Sequence, residues 1–350
     1  MKKILFTGGG SAGHVIPNIA LVEDILKDGF ADVCYMGTDG IEKRLIQERK
    51  LPFYEIQCPK LIRSFSLSAI KRNLKIPFQL LKAKKQAEEG LKIFQPDLVF
   101  SKGGYVALPV ILAAKKLKIP CFAHESDFSI GLANKLSAKK CERVFTSFPE
   151  TAKTLRNGKY SGAPIRNGVL SVSEQAAKES FSIPENKKVL LVFGGGSGSA
   201  CINDALRKNL KTLCEKYFIL HVCGKGNLVP AQVKNYRQYE FISDMGSAYA
   251  AADLVVSRSG SGTVFELLAL KKPALFIPLA GQTRGDQMQN AEYFFKKGLC
   301  HVLPQNKLEK LPQAIDETAY DEGLKARLAS SAFKSGNQVI IAELKSVLGV

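Results

Sequence analysis

Apolar and polar positions along this chain fall into two patterns that take turns. Short continuous apolar runs, at 4–6, 33–36, 53–56, 98–100, 120–123 and 144–145, alternate with stretches of helical periodicity such as 16–26 and 108–117. A continuous run suits a strand buried on both faces, and its alternation with amphipathic helices predicts a parallel sheet covered on both sides. The second half repeats the pattern through 189–193, 218–222, 254–257 and 274–278. Tyr160-Ser161-Gly162-Ala163-Pro164 lies between the halves and reads as a hinge, while 317–350 reads as helices. The expected fold is α/β: two Rossmann-like domains with parallel sheets flanking a cleft.

Two of the strand-to-helix junctions are built alike. Lys3-Ile4-Leu5-Phe6-Thr7 runs into Gly8-Gly9-Gly10-Ser11-Ala12-Gly13, and Val189-Leu190-Leu191-Val192-Phe193 runs into Gly194-Gly195-Gly196-Ser197-Gly198-Ser199. Glycine lets the backbone approach a ligand, and the helix that follows presents free N–H groups and a positive dipole end to an anion. The first junction satisfies G-x-G-x-x-G, but no clear ribose-binding acid follows Met36-Gly37-Thr38. A P-loop fits less well, because His14 and Val15 occupy the places of its Lys and Ser/Thr. His14 opens a helix at the carboxyl edge of the sheet, where the dipole disfavours imidazolium and keeps the ring able to accept a proton. The alternative for a lone histidine is simple capping or packing, which the glycine context argues against.

A third junction, Leu254-Val255-Val256-Ser257 into Arg258-Ser259-Gly260-Ser261-Gly262, offers backbone donors for a pyrophosphate. Glu266, in the helix that follows, offers an acceptor-only carboxylate suited to a ribose diol. Asp286, Gln287 and Asn290 form a polar cluster at a later helix start.

Composition narrows the setting. A chain of 350 residues with 45% hydrophobic and 23% charged residues has room for two ordinary soluble domains. Eight cysteines scattered without a CxxC pair or a Cys/His cluster predict no disulfide framework and no structural zinc, as in a reducing cytosol. The apolar stretch after Lys2 and Lys3 is too short for a signal peptide, and no run approaches the ~20 residues of a membrane span.

Net charge is +18, and its distribution bears on partners. Between residues 60 and 85 there are 8 basic residues (Lys60, Arg63, Lys71, Arg72, Lys75, Lys82, Lys84, Lys85) and no acidic one. They are interleaved with bulky apolar groups that include Leu61, Ile62, Phe65, Leu67, Ile70, Leu74, Phe78 and Leu81. That mixture fits an anionic membrane surface better than nucleic acid, which needs no exposed leucines. The competing reading is a solvated basic face over an apolar core.

Taken in order, Gly8 to His14 with Pro17, Lys102-Gly103-Gly104-Tyr105, His124-Glu125, Gly131-Leu132 with Asn134, Gly162-Ala163-Pro164-Ile165-Arg166, Phe241-Ile242 with Asp244, Arg258-Ser259-Gly260 with Glu266, and Gln287 with Asn290 resemble the MurG family. These are bacterial glycosyltransferases that move N-acetylglucosamine (GlcNAc) from UDP-GlcNAc to lipid I, the undecaprenyl-pyrophosphoryl-muramyl-pentapeptide, giving lipid II. The resemblance implies a GT-B fold, with residues 1–164 as an acceptor and membrane-binding domain, a helix at 334–350 packing back on it, and residues 165–333 as the donor domain.

Residue by residue, the resemblance implies uracil recognition at the backbone of Ile242, the ribose diol at Glu266, phosphates at Ser259, Gly260 and Ser197, and GlcNAc hydroxyls at Gln287. Asp286 lies beside them, and Arg166 is expected near the donor. Ser11, Ala12, Gly13 and Tyr105 fall on the acceptor side, with His14, Glu125 and Asp127 as candidate bases. No metal or other cofactor is expected, since there is no Asp-x-Asp pair and the helix start near Ser259 offers donors to departing UDP. The implied partners are UDP-GlcNAc, lipid I, an anionic membrane surface at the cytoplasmic face and other cell-wall synthesis proteins, with no nucleic acid.

Two departures from the family pattern stand out. His124-Glu125-Ser126-Asp127 occupies a place that usually reads His-Glu-Gln-Asn, and the glycine run before Ser197 is one residue longer than usual. Asp286 also replaces a residue that is often Gln or His. A UDP-GlcNAc epimerase of the same architecture and a membrane-peripheral nucleotide-sugar-binding subunit are the alternative functions.

Overall fold

The computed structural model describes residues 1–60, 66–281 and 285–350, with the side chains of 67–70 outside that description. Leu61, Ile62, Arg63 and Phe65 of the basic segment, and the side chains of Leu67 and Ile70, therefore lie outside the described residues. The chain divides into two compact units, Met1–Arg166 with Ser335–Val350, and Asn167–Lys334.

In the first unit seven strands form one parallel sheet: β1 (Lys2–Thr7), β2 (Ala31–Gly37), β3 (Phe53–Glu55), β4 (Leu98–Ser101), β5 (Cys121–Glu125), β6 (Arg143–Thr146) and β7 (Gly158–Tyr160), in the order β3-β2-β1-β4-β5-β6-β7. Successive side chains of a strand face opposite ways, which is why Ile4, Leu5 and Phe6 of β1, buried on both faces, are all apolar. Ile4 and Phe6 join one core with Ile19 and Val22 of helix α1 (Ala12–Asp28), whereas Leu5 joins the other with residues of the helices before and after β4. The first core also takes Ile340, Ile341, Leu344 and Leu348 from the helix Asn337–Leu348. Glu343 of that helix accepts from Arg143 Nε at 3.1 Å and from Lys159 Nζ at 2.5 Å, tying it to β6 and β7. Asn337 closes the join, its amide exchanging hydrogen bonds of 3.0 Å with both the N–H and the carbonyl of Ile165.

Six strands form the sheet of the second unit: β8 (Lys188–Phe193), β9 (Tyr217–Val222), β10 (Tyr236–Tyr239), β11 (Leu254–Ser257), β12 (Ala274–Phe276) and β13 (His301–Val302), again all parallel, in the order β10-β9-β8-β11-β12-β13. Its core packs Leu190, Val192, Ile219, Leu254 and Val256 against Ile202, Leu206, Leu311 and Ile315 of the covering helices.

In both sheets the strand order reverses beside the first strand of the unit, β1 next to β4 and β8 next to β11. Loops leaving the carboxyl ends on either side of such a switch point diverge and open a crevice, the usual ligand site of doubly wound sheets. The glycine turns after β1 and β8 and the Arg258 turn after β11 sit at these positions.

Part of the basic segment forms helix α2 (Ile41–Gln47)'s distant neighbours along the chain, α3 (Leu67–Leu74) and α4 (Ile76–Phe94). Leu74, Phe78 and Leu81 are 69%, 77% and 60% exposed, and Lys71, Arg72, Lys75, Lys82 and Lys85 are exposed around them. Among the described residues no helix is long and apolar enough to cross a membrane. All eight cysteines are free thiols, and burial pushes those of Cys34, Cys58, Cys121 and Cys300 up to about 12.

Candidate active site

At the switch point of the first unit, Ser11 takes the extended backbone of a helix N-cap, yet its hydroxyl does not cap α1. Ser11 Oγ instead lies 2.9 Å from His14 Nδ1, so a residue type suited to capping orients the imidazole. Ala12 begins α1, and Gly13 and the half-buried His14 complete its first turn. Pro17 has no N–H for the Gly13 carbonyl, which the ladder of α1 would otherwise claim.

The turn is held from below by Glu42 of α2. This carboxylate is fully buried and accepts from Gly10 N–H at 3.1 Å, Thr38 N–H at 3.1 Å and Thr38 Oγ1 at 2.5 Å. From the other side the loop after β4 closes in. Gly104 has a φ of +79°, and a Cβ there would run into the Gly9 carbonyl oxygen, so glycine is what lets the two loops touch. Tyr105 follows it, and its ring lies against Gly10.

Glu125 ends β5, buried, with both oxygens engaged: Oε1 accepts from Asp127 N–H at 3.0 Å, and Oε2 accepts from Gly131 N–H at 2.8 Å and Asn134 Nδ2 at 2.9 Å. Burial, with the Asp127 charge beside it, raises its pKa, against the opposing pull of Lys102 and these donors. Asp127 is half-buried in the following loop. His124 is buried, with Nε2 3.1 Å from the Gly162 carbonyl, and burial holds its pKa well below the usual histidine range. Arg166 is half-buried at the end of this unit.

The second unit builds its site at the β8/β11 switch point. Ser197 is exposed in the glycine turn between β8 and the helix Ala200–Lys208. Gly198, with a φ of +77°, lies against the Cys223 carbonyl where a Cβ would not fit. Arg258 is buried after β11 and joins three elements: Nη1 donates to the carbonyls of Ile277 (3.0 Å) and Pro278 (3.2 Å), and Nη2 to Ser199 Oγ (2.9 Å). Ser259 Oγ donates to the Gln287 carbonyl at 2.8 Å, and Asn290 Nδ2 donates to the Ser259 carbonyl at 3.4 Å. Gly260 is the N-cap of the helix Ser261–Ala269.

Glu266 is half-buried in that helix, and Tyr249 O–H donates to its Oε2 at 3.1 Å. Gln287 stands beside Asp286 in the first turn of the helix Asp286–Lys296, and its Oε1 accepts from Leu279 N–H at 3.0 Å, which fixes the amide oxygen and leaves NH2 as the donor end of the side chain. Ile242 is buried between β10 and the helix Met245–Ala251. Ser259, Gly260, Gln287 and, through Arg258, the turn carrying Ser197 are thus gathered at one end of this sheet. Ser11, Ala12, Gly13, His14 and Tyr105 are gathered in the first unit, with Glu125 at the end of β5 and Asp127 in the loop after it. Among the described residues no group of three or more His, Cys, Asp or Glu side chains is placed to hold a metal.

Two Rossmann-like domains, each with a glycine turn at its switch point, are the architecture of the GT-B glycosyltransferases. The N-terminal domain of glycosyltransferase family 28 matches residues 4–146, and its C-terminal domain matches residues 189–344. The chain belongs to this family, in its MurG branch. It is 44% identical over 313 residues, 87% of this chain and 86% of the relative, to a Clostridium perfringens protein named UDP-N-acetylglucosamine–N-acetylmuramyl-(pentapeptide) pyrophosphoryl-undecaprenol N-acetylglucosamine transferase. A Clostridium botulinum protein of the same name is 42% identical over 93% of this chain and 90% of its own length. The crystal structure of Acinetobacter baumannii MurG superposes with a TM-score of 0.73 at 26% identity, covering 99% of this chain and all 100% of that one. A UDP-GlcNAc 2-epimerase from Neisseria meningitidis, bound to UDP-GlcNAc, shares the fold with a TM-score of 0.66 at 16% identity, covering 99% and 100%.

Proposed function

We propose that this enzyme transfers GlcNAc from UDP-GlcNAc to the C4 hydroxyl of the muramyl sugar of lipid I in a single inverting displacement. The observation that carries this reading is the identity of 44% over 87% of the chain with a transferase named for that reaction. The epimerase likeness, at 16% identity, is one of fold alone.

Each site supports one half of the chemistry. Ser11 Oγ, 2.9 Å from His14 Nδ1, orients the ring, and in the tautomer that donates from Nδ1 the basic nitrogen is Nε2. It takes the proton of the acceptor hydroxyl as that oxygen bonds to the anomeric carbon and the bond to UDP breaks. Negative charge then builds on the leaving diphosphate, where backbone N–H groups at the Gly260 helix start and the 194–199 turn serve as fixed donors. Glu266, oriented by Tyr249, accepts from the ribose diol, and the Gln287 NH2 group donates to the sugar. These donors supply the stabilisation that a divalent cation gives other transferases, so transfer persists in EDTA.

The acceptor's lipid cannot leave the bilayer, so the enzyme works as a peripheral protein on the cytoplasmic leaflet. The exposed Leu74, Phe78 and Leu81 among exposed lysines support α3 and α4 as the attachment surface. UDP release measured with and without a lipid I analogue tests the assignment: release that depends on the acceptor supports transfer, and conversion of UDP-GlcNAc without acceptor contradicts it.

A further inference from the structure

The geometry points to Lys102 as a buried cation that balances the carboxylates at the end of β5 and in the loop after it, making Lys102, Ser126 and Asp127 one charge-compensated positioning unit. That the unit borders an acceptor site rests on the function proposed above; the pairing itself does not.

Lys102 is the first residue after β4 and only 1% exposed. Its N–H donates to the Thr7 carbonyl at 2.8 Å, so its side chain starts at the switch point, and its Nζ donates to Ser126 Oγ at 2.5 Å. A hydroxyl satisfies one of the three ammonium protons and none of the charge. A buried ammonium left so is costly, and the negative charge that answers it stands on either side of Ser126, at Glu125 and Asp127. The other titratable group facing it is His124 on β5, which the amine helps keep neutral.

Glu125 has its oxygens committed to Asp127 N–H, Gly131 N–H and Asn134, so it holds the loop's shape. Asp127 is the half-buried carboxylate next to Ser126, whose hydroxyl accepts from the Lys102 ammonium. Burial draws the Lys102 amine down to about 8 while Glu125 and Asp127 pull it up, so the unit is cationic at Lys102 at neutral pH and discharges as pH rises past that value.

A double-mutant cycle on the full chain, Lys102→Met and Asp127→Asn, tests the pairing by Tm, by acceptor kcat/KM and by UDP-GlcNAc KM. Each single substitution is expected to lower acceptor kcat/KM about tenfold with UDP-GlcNAc KM unchanged, and the double variant to return to within about threefold, as for residues in one network. Lys102→Met should depress Tm less in the Asp127→Asn background than in the wild type. Above pH 8 the wild-type acceptor kcat/KM should fall relative to the double variant. Should Lys102→Met fail to fold, Lys102→Gln gives the same cycle. Additive losses in Tm and activity, with no rescue, overturn the inference. Coupled Tm values without recovered turnover support the pairing and add a chemical role for Asp127. A wild-type protein without transfer activity refutes the proposed function and leaves the Tm cycle to decide the pairing.

Discussion

At the scale of single residues the proposed chemistry falls to His14, with Ser11 Oγ 2.9 Å from its ring, and to Glu266, which accepts from Tyr249 O–H. General-base catalysis typically contributes ~10²–10⁴-fold, so His14→Ala should lower turnover by about that factor while UDP-GlcNAc affinity holds. Calorimetric titration with UDP-GlcNAc beside single-turnover kinetics separates the two effects; near-full turnover in that variant would move the role to another group. Tyr249→Phe removes the hydrogen bond to Glu266 Oε2 and should raise the UDP-GlcNAc KM in the same direction as Glu266→Ala but by less, since a hydrogen bond to a charged group is worth ~1.5–3 kcal/mol. Unchanged KM in both variants would remove Glu266 from the ribose.

Which of these residues a sequence can reveal follows from how far their partners lie along the chain. Ser11 and His14 are 3 apart and share one helix turn, so their association is visible in the glycine motif. Glu42 reaches Gly10 across 32 residues, Lys102 reaches Ser126 across 24, and Arg258 reaches Ser199 across 59. None of these pairings leaves a local signal, because the sheet order, not the spacing, brings them together. A buried charge is the feature that would have singled them out, and burial of a polar residue does not show in periodicity.

Among the elements, the strands are the most legible, since the apolar runs of β1 and β8 are buried on both faces and each strand is followed at once by glycine. The basic segment was less so, because the same lysines fit a membrane surface or a solvated face. Exposure of Leu74, Phe78 and Leu81 favours the first reading at those positions. Each cation near an anionic surface contributes about 1 kcal/mol and each buried methylene about 0.8, so a few of each give reversible attachment. Cosedimentation with liposomes should therefore require anionic lipid and weaken with salt. The triple substitution Lys71→Glu, Arg72→Glu, Lys75→Glu should abolish it and spare turnover on a short-chain acceptor; undiminished binding would leave the segment an ordinary solvated face.

At the scale of the whole molecule, each sheet holds one buried histidine, and the two contribute to its response to acid. His221 lies between Tyr236 O–H at 2.8 Å and Asn203 Oδ1 at 2.9 Å, and burial lowers its pKa from 6.5 to about 4. His124 is shifted the same way. Below 6.5 the unfolded chain binds protons that these folded histidines refuse, so stability should decline as pH falls from 6.5 towards 4. Tm measured across that window should fall, and His221→Gln should flatten the slope; a slope unaltered by it would place the acid response elsewhere.

The reaction proposed for this chain is transfer, with inversion, between two substrates held at the two switch points. Its most direct measure is the product formed from UDP-GlcNAc and a lipid I analogue in EDTA, analysed by mass spectrometry and NMR. The expected product carries one GlcNAc joined to the muramyl O4, with anomeric configuration opposite to that in the donor and one UDP released per linkage. A retained configuration, a linkage at another hydroxyl, or an epimerised free sugar nucleotide with the acceptor unchanged would contradict it.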